Sequence, residues 1–349
     1  MTTRPYRVVQ WATGNIGSRA LRAVLESPDL SLAGVYVTTA EKAGLDAGEL
    51  CGLAPVGVTA TRSIDDILDL GADCVLYMPL LLDADEVCRL LASGANVVTT
   101  RGEFHWAPSM EPGLRRRVEA ACAEGGTSIH STGSSPGFIS EAVPLVLASI
   151  QRRVDHLTID EFADLSRRDS PQLLFDIMGF GTDPATFDRR RSAYIAESFG
   201  PSLHLVAEAL GVRLDSVEHD GEVATAGHAV RIAAGVLPPG TVAAQRMTVS
   251  GMLGGRALLR FRATWYCTAE LDPAWDVRPS GWHVTLDGDA PLDVDIRLAV
   301  PPERMASASP GFTANRAVNA VPVVCAAEPG IRSTLDLPHI TPGPRRPGR

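Results

Sequence analysis

A glutamate near residue 100 is the ionisable residue best placed for catalysis in this sequence. Glu103 follows an apolar run that ends at Thr100, and its neighbours Phe104 and Trp106 are aromatic. Aromatic neighbours remove water from a carboxyl group and raise its pKa, which suits general acid–base chemistry near neutral pH. We therefore predict Glu103 as the catalytic residue. The alternative is a surface-loop glutamate that is solvated or paired with Arg101.

A glycine turn near the N-terminus is the second chemical feature. Gly14 and Gly17 flank Asn15 and Ile16, between a short β-rich run and a segment with helical apolar spacing. Backbone N–H groups at such a helix N-terminus bind pyrophosphate, so we predict these four residues as cofactor-binding. Ala12 stands at the first glycine position of the full G-x-G-x-x-G pattern, and an ordinary strand–turn–helix stays open as the alternative.

The elements around this turn alternate as a parallel sheet with helical crossovers requires. We predict strands over 32–38, 56–60, 72–78, 95–100 and 128–131, and helices over 63–70, 83–93 and 112–124. Ligands collect at the carboxyl ends of the strands in such a sheet. Thr38, Thr39, Met78, Pro79 and Thr100 lie at predicted strand ends, and we predict them as cofactor-binding.

The second half of the chain is typical of an α+β domain with a mixed or antiparallel sheet. We predict strands over 157–162, 212–217, 228–234, 242–252, 257–267, 281–286 and 292–299, and helices over 140–150, 171–178, 184–210 and 313–322. The predicted fold class is α/β, with a Rossmann doubly wound sheet followed by this α+β domain. The predicted domains are a dinucleotide-binding domain (1–135), a substrate and dimerisation domain (136–312), a C-terminal helix returning to the first domain (313–338) and a disordered tail (339–349).

Residues after the second predicted strand bear on the choice of cofactor. Enzymes that prefer NAD usually place a carboxylate there for the ribose 2′-hydroxyl, whereas this chain has Thr38 and Thr39 with Lys42 nearby. This favours NADP over NAD, although Glu41 lies close enough to reverse the preference.

Three further groups of residues are weaker candidates. His105 and His130 could act in catalysis, but isolated histidines are more often packed or solvated. Leu174 and Met178 belong to an apolar stripe that is either core or the wall of a substrate pocket, which would also contain Phe138. The turn Gly133–Phe138 could present N–H groups to a substrate or serve as a plain interdomain turn.

Composition excludes several other functions. A net charge of −9 disfavours nucleic acid as a partner, and six cysteines without a C-x-x-C pair argue against zinc, so we predict no metal. Lys42 is the only lysine, which makes a Walker loop or a Schiff-base mechanism improbable. No apolar run approaches the roughly 20 residues that span a bilayer. We expect a cytoplasmic protein without a membrane partner.

Four motifs carry a resemblance to a known family: Val9-Gln-Trp-Ala-Thr-Gly-Asn-Ile-Gly17, Val97-Val-Thr-Thr-Arg-Gly-Glu103, Gly133-Ser-Ser-Pro-Gly-Phe138 and Ala317-Val-Asn-Ala-Val-Pro322. With these four motifs in this order, the chain resembles the 2,4-diaminopentanoate dehydrogenase and native amine dehydrogenase group of the dihydrodipicolinate reductase-like superfamily. The resemblance implies a Rossmann domain, a homodimer, and reductive amination of small ketones or aldehydes with NAD(P)H and ammonia, or deamination of a primary amine. It implies a catalytic role for Glu103 and a cofactor contact at Asn319.

The chain departs from dihydrodipicolinate reductase itself, because it has no His-His pair and no lysine in its second half. A 2,4-diaminopentanoate dehydrogenase would need a cation for the substrate carboxylate, for which Arg101 is the nearest candidate. An imine or aldehyde reductase of the same fold is a further alternative. A regulatory protein that binds NADP without chemistry is the alternative from another class.

Overall fold

The computed structural model describes residues 4–188 and 190–343. The chain divides into two compact units, one formed by residues up to 138 together with those from 309 onwards, and one formed by 139–308. No helix in the described ranges is long and apolar enough to cross a membrane.

The described residues form the following elements in chain order. The strands are β1 (Tyr6–Trp11), β2 (Leu30–Tyr36), β3 (Ala60–Thr61), β4 (Cys74–Tyr77), β5 (Asn96–Thr99), β6 (Ser128–Ser131), β7 (Val154–Asp164), β8 (Ser216–Ala226), β9 (Val230–Ile232), β10 (Gly235–Leu237), β11 (Val242–Leu253), β12 (Arg256–Tyr266), β13 (Leu271–Asp272), β14 (Gly281–Gly288), β15 (Leu292–Arg297) and β16 (Gly330–Arg332). The helices are α1 (Asn15–Glu26), α2 (Ala47–Leu50), α3 (Ile64–Leu68), α4 (Ala84–Ala92), α5 (Pro112–Gly125), α6 (Val143–Ala148), α7 (Arg190–Ala209) and α8 (Pro302–Cys325).

The first unit contains a seven-stranded sheet in the order β16-β6-β5-β4-β1-β2-β3. All its neighbouring strands run parallel. The strand order reverses between β1 and β4, and ligands of doubly wound folds bind at this switch point. The sheet confirms the predicted α/β fold class.

Successive residues of a strand point to opposite faces of the sheet, and helices pack against both faces. Val9 of β1 packs in a cluster with α4 and α5 residues, whereas its neighbour Val8 packs with apolar residues of α1 and α8. Both valines are fully buried, and burial of such a side chain contributes about 1.5–3 kcal/mol. The carboxyl ends of the strands are thereby held on a rigid support.

The second unit contains a mixed seven-stranded sheet in the order β13-β8-β11-β12-β7-β14-β15, which agrees with the predicted α+β character. Only β12 and β7 pair in parallel among its described neighbours. Helix α7 packs on this sheet, and Phe199 stacks on Phe261 at a centroid distance of 3.7 Å.

Three predicted strands were placed or bounded wrongly. The strand predicted over 212–217 is β8, which begins at Ser216 and continues to Ala226. Its consecutive exposed residues Glu218, His219 and Asp220 interrupt the alternation of apolar and polar residues that indicates a strand. The strand predicted over 228–234 is the hairpin of β9 and β10, since Gly235 starts a new strand. The strand predicted over 56–60 is reduced to Ala60–Thr61.

Two predicted helices were also bounded wrongly. The predicted C-terminal helix over 313–338 is α8, which begins at Pro302 and ends at Cys325; residues 330–332 instead form β16 at the sheet edge. Pro310 and Pro322 lie inside α8, although proline usually marks a helix boundary. The helix predicted over 184–210 is a short 3₁₀ turn followed by α7. Residues 344–349 of the predicted disordered tail lie outside the described residues.

Candidate active site

The glycine turn joins β1 to α1 at the switch point of the first sheet. Ala12 has a φ of +68°, and among the described residues it is the one non-glycine with positive φ. A left-handed conformation costs an L-residue roughly 1–2 kcal/mol, which is why glycine is usual at this position. The fully buried Gln10 supports the turn from below by donating its side-chain N–H to the carbonyl oxygen of Ala12 at 2.8 Å.

The two glycines of the turn have different roles. A Cβ atom on Gly17 would lie 2.1 Å from the carbonyl oxygen of Ala12, so only glycine allows this close packing of helix on strand. A Cβ atom on Gly14 would meet no atom within 4 Å. Gly14 is the N-cap of α1, and no side chain caps the helix or places an acid in its first turn. There is therefore room beside Gly14 at the N-terminus of α1, and a helix N-terminus is a place where anions bind.

Arg19 adds a cation to this helix N-terminus. Its guanidinium donates to the backbone oxygen of Asn15 at 2.7 Å and to the Asn15 side-chain oxygen at 2.6 Å. A cation is disfavoured beside the positive end of a helix dipole, and a bound anion removes that repulsion. Sequence reasoning missed Arg19, although its spacing four residues after Asn15 indicates the contact.

The end of β2 carries the residues predicted to select the cofactor. Thr38 and Thr39 are exposed. Lys42 donates to the backbone oxygen of Thr13 at 2.8 Å, so it lies beside the glycine turn. Hydrogen bonds from its own backbone N–H and from the Thr39 side chain lower the pKa of Glu41, and the nearby Arg62 acts in the same direction. The carboxylate that could favour NAD is thus engaged locally.

Aromatic side chains lie beneath this end of the sheet. Trp11 stacks on Tyr36 at a centroid distance of 3.6 Å. Tyr77 donates its hydroxyl to the carboxylate of Glu86 at 2.9 Å. Burial raises the pKa of both Tyr77 and Glu86. We interpret this pair as support for the strand ends, because Tyr77 is fully buried.

Glu103 lies in a 3₁₀ turn, Gly102–Phe104, that follows β5. The fully buried Phe104 fixes the turn in the core. The Arg101 guanidinium lies 2.5 Å from Glu103 Oε1 and also donates to the backbone oxygen of Leu80, so the predicted alternative of pairing with Arg101 is observed. Glu103 Oε2 is buried and has no hydrogen-bond partner among the residues that the structure describes. The site thus presents a fixed carboxylate with one oxygen available to a ligand.

The other strand ends converge on the same edge of the sheet. Met78 is buried and donates its N–H to the Trp11 oxygen at 3.1 Å, Pro79 is half-buried, and Thr100 directly precedes Arg101. Sequence reasoning missed Leu80 and Leu81, whose exposed fractions of 88% and 77% are high for leucine. An apolar run directly after a strand end was the signal for them.

The second glycine turn is attached to α8 within the first unit. Ser134 Oγ lies 2.7 Å from Thr313 Oγ1, and the Arg316 guanidinium lies 6.0 Å from the ring centre of Phe138. Gly137 has a φ of +117°, which requires glycine. Asn319 lies half-buried on the same helix. The motif Gly133–Phe138 therefore contacts the turn of α8 that directly precedes the motif Ala317–Pro322.

The family follows from comparison with known proteins. Residues 138–342 match the family described as 2,4-diaminopentanoate dehydrogenase C-terminal domain. An amine dehydrogenase from Streptomyces virginiae is 30% identical, over 98% of this chain and 98% of its own length. The chain belongs to this amine dehydrogenase family.

Other comparisons agree with the family. Residues 8–80 match the N-terminus of dihydrodipicolinate reductase. A 4-hydroxy-tetrahydrodipicolinate reductase from Synechococcus elongatus is 27% identical over 47% of this chain and 60% of that protein. The solved structure of an amine dehydrogenase from Mycobacterium smegmatis has a TM-score of 0.75 at 20% identity, covering 97% of this chain and 98% of that one. The predicted resemblance is confirmed.

Three of the remaining candidates of this amine dehydrogenase family member, Leu174, His105 and His130, are buried. Leu174 is fully buried in the core of the second unit, and Met178 packs against that core, as the core interpretation expects. His105 and His130 are each 1% exposed, and His130 Nδ1 lies 2.8 Å from the Arg332 oxygen. No group of three or more potential ligands from His, Cys, Asp or Glu could hold a metal within the described ranges.

Proposed function

We propose that this chain is an NAD(P)H-dependent amine dehydrogenase that aminates small ketones or aldehydes with ammonia and, in reverse, deaminates primary amines. The observation that carries the proposal is Glu103, whose carboxylate lies at a strand end beside the switch-point edge, with Oε2 buried and without a hydrogen-bond partner in the described part of the chain. An unsatisfied buried acceptor costs about 1–3 kcal/mol. An ammonium, amine or iminium N–H of the substrate would satisfy it.

Glu103 would act by binding and by charge. Its carboxylate orients ammonia next to the carbonyl carbon and then takes and returns the proton that lets water leave the carbinolamine. It next stabilises the iminium cation that accepts the hydride. One such electrostatic contact contributes about 3–4 kcal/mol in sites where a single stabilising group has been removed. Acid–base and electrostatic roles are thus combined in one side chain.

The cofactor is a nicotinamide dinucleotide, and the first unit fits it. The N–H groups of Asn15, Ile16 and Gly17 would hold the diphosphate, with Gly14 leaving space for it. When bound in reduced form, the cofactor supplies a hydride. Thr38, Thr39, Met78, Pro79, Thr100 and Asn319 are proposed as further cofactor contacts.

We favour NADP over NAD. Lys42 and Arg62 provide cations near the end of β2, and the Glu41 carboxylate is held by its own backbone N–H and by Thr39. A ribose 2′-phosphate is a dianion that two cations would attract, whereas a 2′-hydroxyl has no comparable charge. This arrangement supports the preference that the threonines suggested.

The substrate is proposed to be an apolar carbonyl compound without a carboxylate. Arg101, the candidate cation for a substrate carboxylate, already contacts Glu103 and the Leu80 oxygen. Leu80 and Leu81 offer exposed apolar surface beside it. Phe138, Leu174 and Met178 remain proposed substrate-pocket residues.

A second candidate is 2,4-diaminopentanoate dehydrogenase, because the family matched by residues 138–342 carries that name. It would require Arg101 to leave Glu103 and bind the substrate carboxylate. The engaged position of Arg101 favours the simple amine dehydrogenase.

We also propose a homodimer, formed through the sheet of the second unit. This sheet carries two cross-strand ion pairs, Arg246–Glu222 and Arg262–Asp160, and Arg278 from the loop before β14 pairs with Asp295 of β15. The Glu222 side chain keeps 53% of its surface exposed. Alternating charges of this kind suit a two-fold contact with a second copy. Light scattering on the wild type and on Glu222→Arg tests this, with a monomeric wild type as the contrary result.

Cofactor oxidation separates the proposed functions. Purified protein is mixed with NADPH or NADH and with cyclohexanone, a small aldehyde or a cyclic imine, with and without ammonium. Ammonium-dependent oxidation supports the amine dehydrogenase, and ammonium-independent oxidation supports an imine or aldehyde reductase. Oxidative turnover of 2,4-diaminopentanoate alone supports the second candidate. Binding without turnover across the panel supports a non-catalytic regulatory protein.

A further inference from the structure

We propose that Arg101 is a positioning residue that holds one oxygen of the Glu103 carboxylate so that the other faces the substrate nitrogen. The inference rests on the proposed amine dehydrogenase function and adds a residue to its machinery. It also gives Arg101 a role different from that of a cation that binds a substrate carboxylate.

The contacts of the Arg101 guanidinium define this role. One terminal nitrogen lies 2.5 Å from Glu103 Oε1, and the other donates to the backbone oxygen of Leu80. The side chain thus connects the loop after β4 to the turn after β5. Within residues 4–188 and 190–343, the buried Glu103 Oε2 has no hydrogen-bond partner, which leaves it as the oxygen for a ligand.

The backbone of Arg101 is fixed independently of its side chain. Its N–H donates to Thr99 Oγ1 at 3.1 Å, and its carbonyl oxygen accepts a hydrogen bond from Ser131 Oγ. These bonds join the ends of β5 and β6, and a substitution of the Arg101 side chain leaves them in place. Variants at this position are therefore expected to fold.

The ion pair is better explained by orientation than by stability. The Arg101 and Glu103 side chains are 25% and 31% exposed, so water still screens the pair and reduces its contribution to folding. Arginine presents its donors in a planar fork, so it fixes the plane of a carboxylate as well as its charge. A misplacement of a catalytic group by about 1 Å can reduce turnover roughly 100-fold.

The matched control is another arginine–glutamate pair of the same unit. Arg115 and Glu119 are four residues apart on α5, with a separation of 2.7 Å and side-chain exposures of 42% and 44%. Both side chains lie on the surface of α5, and Arg115 pairs with Glu119 and not with Glu103. Arg115→Gln removes a comparable ion pair and leaves the Arg101–Glu103 pair in place.

Kinetics of Arg101→Gln, Arg101→Ala and Arg101→Lys test the proposal. We expect kcat for reductive amination to fall by about 10- to 100-fold in the first two, with the Kd for NADPH unchanged. Added guanidinium should restore part of the lost kcat in Arg101→Ala but not in Glu103→Gln, and Arg101→Lys should retain part of it. A kcat close to wild type in Arg101→Gln, or a loss shared by Arg115→Gln, overturns the proposal.

A second readout separates this inference from the proposed function. Carbodiimide coupling of an amine to Glu103, followed by mass spectrometry, measures how freely the carboxylate reacts. We expect faster coupling in Arg101→Gln than in wild type, whereas Arg115→Gln matches the wild type at Glu103. If wild type aminates no ketone or aldehyde, the proposed function fails. Equal coupling rates at Glu103 in wild type and Arg101→Gln overturn the positioning role.

Discussion

Lys42 donates its ammonium N–H to the backbone oxygen of Thr13 at 2.8 Å and lies 3.3 Å from the Thr13 hydroxyl. The only lysine of the chain therefore joins the end of β2 to the glycine turn. A single side chain can in this way both hold the turn that is proposed to bind the diphosphate and offer positive charge to a ribose 2′-phosphate.

This relationship predicts a change in cofactor preference. Lys42→Gln removes the charge, so we expect the affinity for 2′,5′-ADP to fall by about tenfold more than the affinity for ADP, equivalent to roughly 1.4 kcal/mol. Isothermal titration calorimetry measures both ligands without any turnover. Lys42→Arg is the control that keeps the charge. Equal losses for both ligands would mean that Lys42 holds the turn without selecting the cofactor.

The positive φ of Ala12 predicts a substitution that stabilises the protein. Ala12→Gly removes left-handed strain of about 1–2 kcal/mol. Glycine also loses more conformational entropy on folding than alanine, and this cost offsets part of the gain. We expect a net gain of up to about 1 kcal/mol in the free energy of unfolding, measured with urea. The same change at the exposed Ala120 of α5 is the control and should destabilise by about 1 kcal/mol. Two changes of the same sign would contradict the strain argument.

A substitution at Gly17, in the same turn, should lower the stability of the protein. A Cβ atom there would lie 2.1 Å from the Ala12 carbonyl oxygen, and that oxygen belongs to a backbone fixed by Gln10. Gly17→Ala must therefore move the helix or the turn. We expect a loss of about 1–3 kcal/mol in stability together with weaker cofactor binding. Thermal unfolding and cofactor titration check both effects, and a variant as stable as wild type would show that the turn adapts.

The glycine turn also shows how far the sequence could predict the site. Gly14, Gly17 and Glu103 were found because local pattern and strand position determine where they lie. The pairing of Glu103 with Arg101 was foreseen as an alternative, since two residues separate them. The contact between Lys42 and Thr13 could not be specified, because it spans 29 positions and depends on how β2 packs beside β1.

The fold was predictable to a similar extent. Parallel strands buried on both faces give clear apolar runs, and the inner strands of the first unit were found for that reason, whereas β16 and the bounds of β3, at the two edges of the sheet, were not. β8 was misplaced because β13 pairs only with its last residues, so Glu218 to Asp220 lie exposed and charged. The start of α8 was missed because Pro310 indicates a boundary, whereas packing of Ala314, Ala317 and Val321 keeps the helix continuous.

Asp73 predicts how the stability of the first unit depends on pH. Burial by itself raises the pKa of Asp73, but hydrogen bonds from the Arg4 guanidinium and from the Arg7 N–H outweigh it and lower the pKa. A lowered folded-state pKa gives stability that is present above the unfolded-state pKa, near 4, and is lost as the pH falls through the folded value. Asp73→Asn should thus cost about 1–3 kcal/mol at pH 7 and less below about pH 4.

Urea unfolding of wild type and Asp73→Asn at neutral and acid pH measures that difference. Asp69→Asn changes an exposed carboxylate at the end of α3 and serves as the control. A destabilisation by Asp73→Asn that stays constant with pH would assign its effect to packing instead of charge.

Glu103 carries the prediction on which the proposed chemistry depends. Glu103→Gln keeps the size of the side chain and an oxygen acceptor but removes the negative charge that stabilises the iminium and the group that moves the proton. We expect kcat to fall by about 100- to 1,000-fold, as for the loss of a stabilising group of about 3–4 kcal/mol, with the Kd for NADPH nearly unchanged. Initial rates and cofactor titration measure the two quantities separately. Glu119→Gln on the surface of α5 should leave both unchanged. Because the glycine turn, not Glu103, would hold the diphosphate, a parallel loss of cofactor affinity would indicate a structural role for Glu103, and turnover comparable to wild type would remove it from the mechanism.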